Sequence, residues 1–117
     1  MAKRNDKLYL KDTLDSIEKI EKYVNNLNYE EFSKNLVVID AVVRNFEIIG
    51  EATKNLSKEI KSLCPNIPWK EMAGIRNKVI HEYFGVNLKI VWKTIKERLP
   101  ELRIKIGKIL KSKICQK

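Results

Sequence analysis

The sequence predicts an all-α fold, an antiparallel bundle of four to five helices. Two observations carry that reading. Apolar residues recur at three- and four-residue intervals through long segments, the spacing of a helix with one buried face. Short breaks rich in Asn, Gly and Pro separate those segments, and no segment alternates as a strand would. A chain of 117 residues with 44% apolar and 33% charged side chains is read as one domain, 1–117, folded and with a single core.

The first helix is expected from Asp6 to Val24, where Leu10, Leu14, Ile17, Ile20, Val24 and Leu27 keep close to the 3.6-residue period. Asn25-Asn26-Leu27-Asn28 ends it, because Asn side chains compete with helical backbone bonding. Tyr29 to Phe32 reads as one short turn. Leu36 to Leu56 is the second long helix, apolar over most of its circumference and therefore expected in the middle of the fold. Its β-branched content also suits a strand, but its length and periodic polar insertions favour a helix. The polar stripe is Asp40, Arg44, Glu47, Glu51 and Lys54. It is either a solvated face with i,i+4 pairs or the wall of a polar cleft. Gly50 in mid-helix costs about 1 kcal/mol relative to Ala, and close approach of another backbone would offset that cost.

Ser57 to Leu63 reads as a short helical turn, and Cys64-Pro65-Asn66-Ile67-Pro68 is the clearest break in the chain. Pro68 suits the first turn of a helix running from Trp69 to about Phe84, with a kink allowed at Ala73-Gly74 and Gly85 placed to stop it. Asn87 is expected to cap a helix from Leu88 to Arg98 with a buried stripe of Leu88, Val91, Trp92, Ile95 and Leu99. Pro100 restarts or kinks a last helix carrying Leu102, Ile104, Ile106 and Ile109, flanked by Arg103, Lys105, Lys108, Lys111 and Lys113.

No apolar run reaches the roughly 18–20 residues that span a bilayer, and the first six residues carry no apolar signal segment. A cytoplasmic location is expected. Cys64 and Cys115 have no metal-ligand spacing and read as free thiols, so neither a metal nor another cofactor is expected. The formal net charge of +9 is unevenly spread. Residues 1–60 carry 10 basic and 11 acidic side chains, whereas residues 61–117 carry 14 and 4. The basic half suits a polyanionic partner, and equally suits a lysine-rich solvated surface.

The basic half holds the stretch most suggestive of chemistry, Gly74-Ile75-Arg76-Asn77-Lys78-Val79-Ile80-His81-Glu82-Tyr83-Phe84-Gly85, with the one histidine of the chain. Arginine offers a fixed fork of N–H donors to phosphate oxygens, and histidine exchanges a proton near neutral pH. On a straight helix Arg76 and Tyr83 share a face, but His81 lies about 140° from Arg76. Either the helix unwinds near His81, or two subunits meet across a two-fold axis and build the site together. A lone His near a helix C-terminus also suits the helix dipole without any catalytic role. Val79 and Ile80 read as core, and Glu82 as a solvated neighbour.

The arrangement Arg76-Asn77-x-x-x-His81-x-Tyr83 resembles the R-x-x-x-x-H-x-Y signature of the HEPN superfamily, specifically its HepT-like toxins. The likeness extends to the early amphipathic helix, the segment from Ala41 to Ala52, Ile67-Pro68-Trp69, Tyr83-Phe84-Gly85-Val86 and Val91-Trp92. It implies a helical bundle that dimerises and places its Arg/His pairs in a shared cleft. It implies a metal-independent endoribonuclease acting on single-stranded RNA or tRNA, the toxin half of a toxin–antitoxin pair. Its partner would be an MNT-type nucleotidyltransferase antitoxin, which silences the toxin by occlusion or by transferring AMP to a tyrosine, here Tyr83. Some relatives carry the acceptor tyrosine two residues after the motif arginine, where this chain has Lys78.

On this reading Arg76 and His81 are the catalytic pair. His81 acts on the 2′-OH and the departing 5′-oxygen, while Arg76 stabilises charge on the phosphorane. Asn77, Lys78 and Arg44, with the basic last helix, are the candidates for holding the RNA backbone. The contrasting class is a non-catalytic helical module that binds the nucleotidyltransferase or a nucleotide. A general nucleic-acid-binding protein rests on charge alone.

Overall fold

The computed structural model describes residues 5–84 and 87–112, the side chains of 80–84 excepted. Helix α1 covers Asp6–Val24, α2 Tyr29–Lys34, α3 Leu36–Lys54, α4 Lys58–Leu63, α5 Trp69–Phe84, α6 Leu88–Lys93 and α7 Leu99–Lys111. A π-helical turn, Thr94–Arg98, joins α6 to α7 without a break. The described chain is thus four long helical rods (α1, α3, α5 and α6–π–α7) with two short helices, and no strand is present among these residues. The all-α bundle read from the periodicity is the observed fold.

Helix α3 is the centre, packed against α1 on one side and α5 on the other, while α7 closes over α1. Leu10, Ile17, Ile20, Ile39, Val42, Phe46, Ile49, Met72, Val79, Ile95 and Ile106 belong to one buried cluster. The stop after α1 is the expected one, with Asn26 in the left-handed region at φ 68°, which Asn tolerates better than most residues. Asn28 and Glu31 then form a reciprocal capping box on α2, and Asn35 caps α3 by accepting from the Val38 amide at 3.1 Å.

Two buried polar devices fix the short elements. Asp6, 1% exposed, accepts from the Ser57 amide at 2.9 Å and from its hydroxyl at 2.5 Å, tying the start of α1 to the N-cap of α4. The Trp69 indole donates to the carbonyls of Cys64 at 3.0 Å and Lys61 at 3.2 Å, so the proline-flanked break folds back onto the first turn of α5. Burial pushes the Cys64 thiol above its ordinary value, which keeps it in the unreactive protonated form.

Several expectations need correction. Leu36 and Val37 are 67% and 79% exposed, so α3 is central only beyond its first turn. Ile104 lies on the open side of α7 at 51% exposure. Helix α5 runs through Ala73-Gly74 as one continuous element. Asn87 makes no capping bond with its side chain. Pro100 does not restart the rod, since the helical backbone runs through it. It has no N–H to offer the Lys96 carbonyl, and the widened turn just before it accommodates the ring and the missing donor. Gly85, Val86 and Cys115 lie outside the described residues.

The α3–α5 contact depends on Gly50. A Cβ there would lie 3.2 Å from the Arg76 Cβ and 3.4 Å from the Ala73 carbonyl oxygen. Close approach of a second backbone is therefore the offset expected for this glycine. Gly74 is different, since a Cβ there meets nothing within 4 Å. In urea denaturation, Gly50→Val should destabilise the protein by about 1–3 kcal/mol through overpacking. Gly74→Ala should instead stabilise it by about 0.5–1 kcal/mol through helix propensity. Equal effects at the two glycines would contradict this packing.

Candidate active site

The roll of α5 about its own axis decides what the motif can do. Met72, Ile75 and Val79 are buried at 1%, 4% and 2%. They lie within one sector of the helix and point it into the core, so the positions on the opposite sector face outward. Gly74, Asn77 and Lys78 are exposed there, and position 81 falls in the same outward sector, one turn beyond Asn77 and Lys78. Val79 is core, as its type suggests.

Arg76 sits at the border between these sectors, half-buried against α3. Its Nε lies 3.5 Å from Oε2 of Glu47, the residue one turn before Gly50, and its Nη1 makes a long contact of 3.5 Å to Asn77 Oδ1. The side chains of Arg76 and Glu47 remain 40% and 31% exposed, so the pair contributes no more than about 1 kcal/mol to stability. Its value is orientation, because it holds the guanidinium against Glu47 of α3 while the side chain stays partly exposed. The polar stripe of α3 was read as a solvated face or a cleft wall. It is both: Asp40, Arg44, Glu51 and Lys54 are exposed, while Glu47 faces the motif arginine. The pairing of Glu47 with Arg76 was not legible beforehand, although its position three residues before a close-approach glycine carried the hint.

Gly50 and Glu47 of α3 both lie against the Ala73–Arg76 turn of α5, with Glu47 toward the Arg76 side chain. The two helices therefore run antiparallel, and the C-terminal end of α5 points to the start of α3. Leu36 and Val37, on the first turn of α3, are an exposed apolar pair. The backbone of α5 is helical as far as Phe84, so positions 76 and 81 keep their separation of about 140°. The side chains of His81 and Tyr83 are outside those described, and their place here is a position on the helix.

The other expected binding residues are divided between two grooves. Arg44 lines one between α1 and α3, about 210 Å³, together with Tyr9, Asp12, Glu47, Glu51 and Asn55. Three carboxylates there oppose one cation. Lys78 lines a different groove, about 370 Å³, between α5 and the α6–π segment. Much of the expected basic flank of α7 is engaged within the molecule. Arg103 pairs with Glu21 at 2.8 Å, and Lys105 bonds to Glu101 at 2.9 Å and to the Asn66 carbonyl at 3.1 Å. Among the described residues no group of three or more His, Cys, Asp or Glu is placed to hold a metal, and no helix is long and apolar enough to cross a membrane.

Comparison with known proteins bears on what this motif is. The family model described as "Ribonuclease HepT-like" matches residues 13–109. A protein named "Probable ribonuclease HepT" from Thermococcus cleftensis is 46% identical over 109 residues, covering 93% of this chain and 99% of the relative. A provisionally named RNase of Methanocaldococcus jannaschii is 45% identical over 111 residues, covering 95% of this chain and 92% of its own length. Another, from Caldanaerobacter subterraneus subsp. tengcongensis, is 47% identical over 102 residues, covering 87% and 91%. No solved structure matches the chain.

A double-mutant cycle tests the Glu47–Arg76 pairing. Glu47→Ala and Arg76→Ala should each shift stability slightly, with a coupling energy of about 0.2–1 kcal/mol that shrinks in high salt. Zero coupling at low salt would mean that Glu47 does not orient the guanidinium.

Proposed function

The chain belongs to the ribonuclease HepT-like family, and from that premise we propose that it is a metal-independent endoribonuclease toxin that cleaves RNA through Arg76 and His81. The observation that carries this reading is the placement of the motif. Arg76 is half-open to solvent beside Glu47, on a helix whose outward sector contains Asn77, Lys78 and position 81. This sector belongs to the strongly basic half of the chain.

The chemistry needs little from the protein, because RNA carries its own nucleophile. His81 accepts the proton of the 2′-OH as that oxygen attacks the adjacent phosphorus. An imidazolium donates a proton to the departing 5′-oxygen. Arg76 offsets the charge on the equatorial phosphorane oxygens. The products are a 2′,3′-cyclic phosphate and a 5′-hydroxyl.

On a helix continuous to Phe84, positions 76 and 81 of one chain lie about 140° apart. Two copies related by a two-fold axis bring the Arg of one toward the His of the other, making a homodimer with a shared cleft. Exposed Leu36 and Val37 are apolar surface available to such a contact. A nucleotidyltransferase of the MNT type is the proposed antitoxin. AMP attached to Tyr83, seven residues and nearly two full turns from Arg76, would set bulk and negative charge on the same helical face as the guanidinium.

Purified protein should cleave single-stranded RNA in EDTA and leave 2′,3′-cyclic ends. His81→Ala should lower the rate by about 10²–10⁴ with the fold intact by circular dichroism. Arg76→Ala should lower it by about 10²–10³. A strict requirement for a divalent ion, or full activity in His81→Ala, would contradict the mechanism.

A further inference from the structure

The groove of about 370 Å³ between α5 and the α6–π segment lies beside the motif without containing Arg76. Its volume is within the range of ligand-holding clefts. Lys78 enters from α5, one turn before position 81. Lys93 and Arg98 enter from the opposite wall. Two carboxylates also line it, Glu71 and Glu97. They are disposed so that most of the positive charge stays available.

Arg98 takes Glu71 in a two-point grip, Nε to Oε1 at 3.0 Å and Nη2 to Oε2 at 2.6 Å, and this bond holds the arginine charged. The pair straps the π turn to α5 and sets the width of the groove. Glu97 stands four residues after Lys93, a spacing at which an α-helix would bring them together. Both line the groove, and no Lys93–Glu97 ion pair forms. Among the described residues, neither Lys78 nor Lys93 is engaged in an ion pair.

The rim continues the pattern. Lys89, Lys93 and Lys96 follow one another at i, i+4 and i+7 along the exposed side of this rod. Like charges at that spacing destabilise a helix unless an anion joins them. Lys96 Nζ stands 4.7 Å from the Trp92 ring centre and Lys89 Nζ 5.8 Å from that of Tyr29, while Trp92 packs on Phe32 at 5.1 Å. The two outer ammonium groups are thus held over aromatic faces, flanking Lys93 at the mouth of the groove.

We propose that this groove is a second phosphate subsite, in which Lys78 and Lys93 hold a backbone phosphate of single-stranded RNA next to the linkage being cut, with Arg98–Glu71 as the strap that fixes its walls. It rests on the reading of the chain as an RNA-cleaving protein, and adds the path that the strand takes away from the motif. The subsite carries charge but no base-reading group, so it tolerates any sequence.

The test is binding, separated from cleavage. A fluorescent 2′-O-methyl RNA oligonucleotide has no 2′-hydroxyl nucleophile, and its affinity is measured by anisotropy over a range of salt concentrations. Lys78→Ala/Lys93→Ala should bind severalfold more weakly at low salt. Its plot of log affinity against log salt should be shallower by about 0.7, the loss expected for one single-strand phosphate contact. Lys19→Ala/Lys22→Ala removes the same charge from the exposed side of α1 and should leave the slope as in the wild type. An unchanged slope in the groove variant, an equal change in the control, or no binding by the wild type would overturn the subsite. Unchanged RNA affinity would leave the groove to an acidic protein surface. A reduced slope together with wild-type protein that does not cut unmodified RNA would sustain the subsite while overturning the cleavage reading.

Discussion

The structure depends on how closely α5 can lie against α3, and Gly50 sets that distance. With no side chain at position 50, the Ala73–Arg76 turn of α5 rests on the α3 backbone. The contact fixes the roll of α5, and the roll decides which residues are core and which face outward. Met72, Ile75 and Val79 go in, while Asn77 and Lys78 go out. Arg76 falls between the two and meets Glu47. A glycine that weakens one helix thereby orients the guanidinium of the other, a trade of local propensity for placement of the kind found at functional sites.

The same roll separates the charges of the molecule into two grooves. On the α1–α3 side, Asp12, Glu47 and Glu51 line a groove with Arg44. On the α6 side, Lys78 and Lys93 face a groove in which Glu71 is held by Arg98 and Glu97 makes no ion pair with Lys93. An approaching polyanion meets an attractive surface on one side of the motif helix and a mostly repulsive one on the other, which orients it before any specific contact forms.

Much of this was legible in the residues. Apolar spacing located α1, α3 and α5 nearly to the residue, because long periodic segments override local ambiguity. The offset expected for Gly50 was readable because a glycine in mid-helix needs a reason. What escaped was non-local or depended on small backbone changes. Leu36 and Val37 continue an apolar run, yet they sit on the first turn of α3, beyond the reach of α1 and α5. The π turn leaves no trace in a hydropathy pattern. The pairings Glu47–Arg76 and Glu71–Arg98 join residues 29 and 27 positions apart, and no spacing rule connects them. Asp6, buried and bonded to Ser57, looks in sequence like any charged first-turn residue.

The central proposal is that, with α5 helical through the motif and positions 76 and 81 about 140° apart, a working cleft requires two copies. Subunit mixing tests it most directly. Arg76→Ala and His81→Ala proteins, each inactive alone, are unfolded together, refolded and assayed for RNA cleavage once mixed dimers are verified. The account predicts that the mixture regains activity, because a mixed dimer can assemble an intact Arg from one chain with an intact His from the other. Verified mixed dimers no more active than either parent would show that each site is built within a single chain, and would contradict the account.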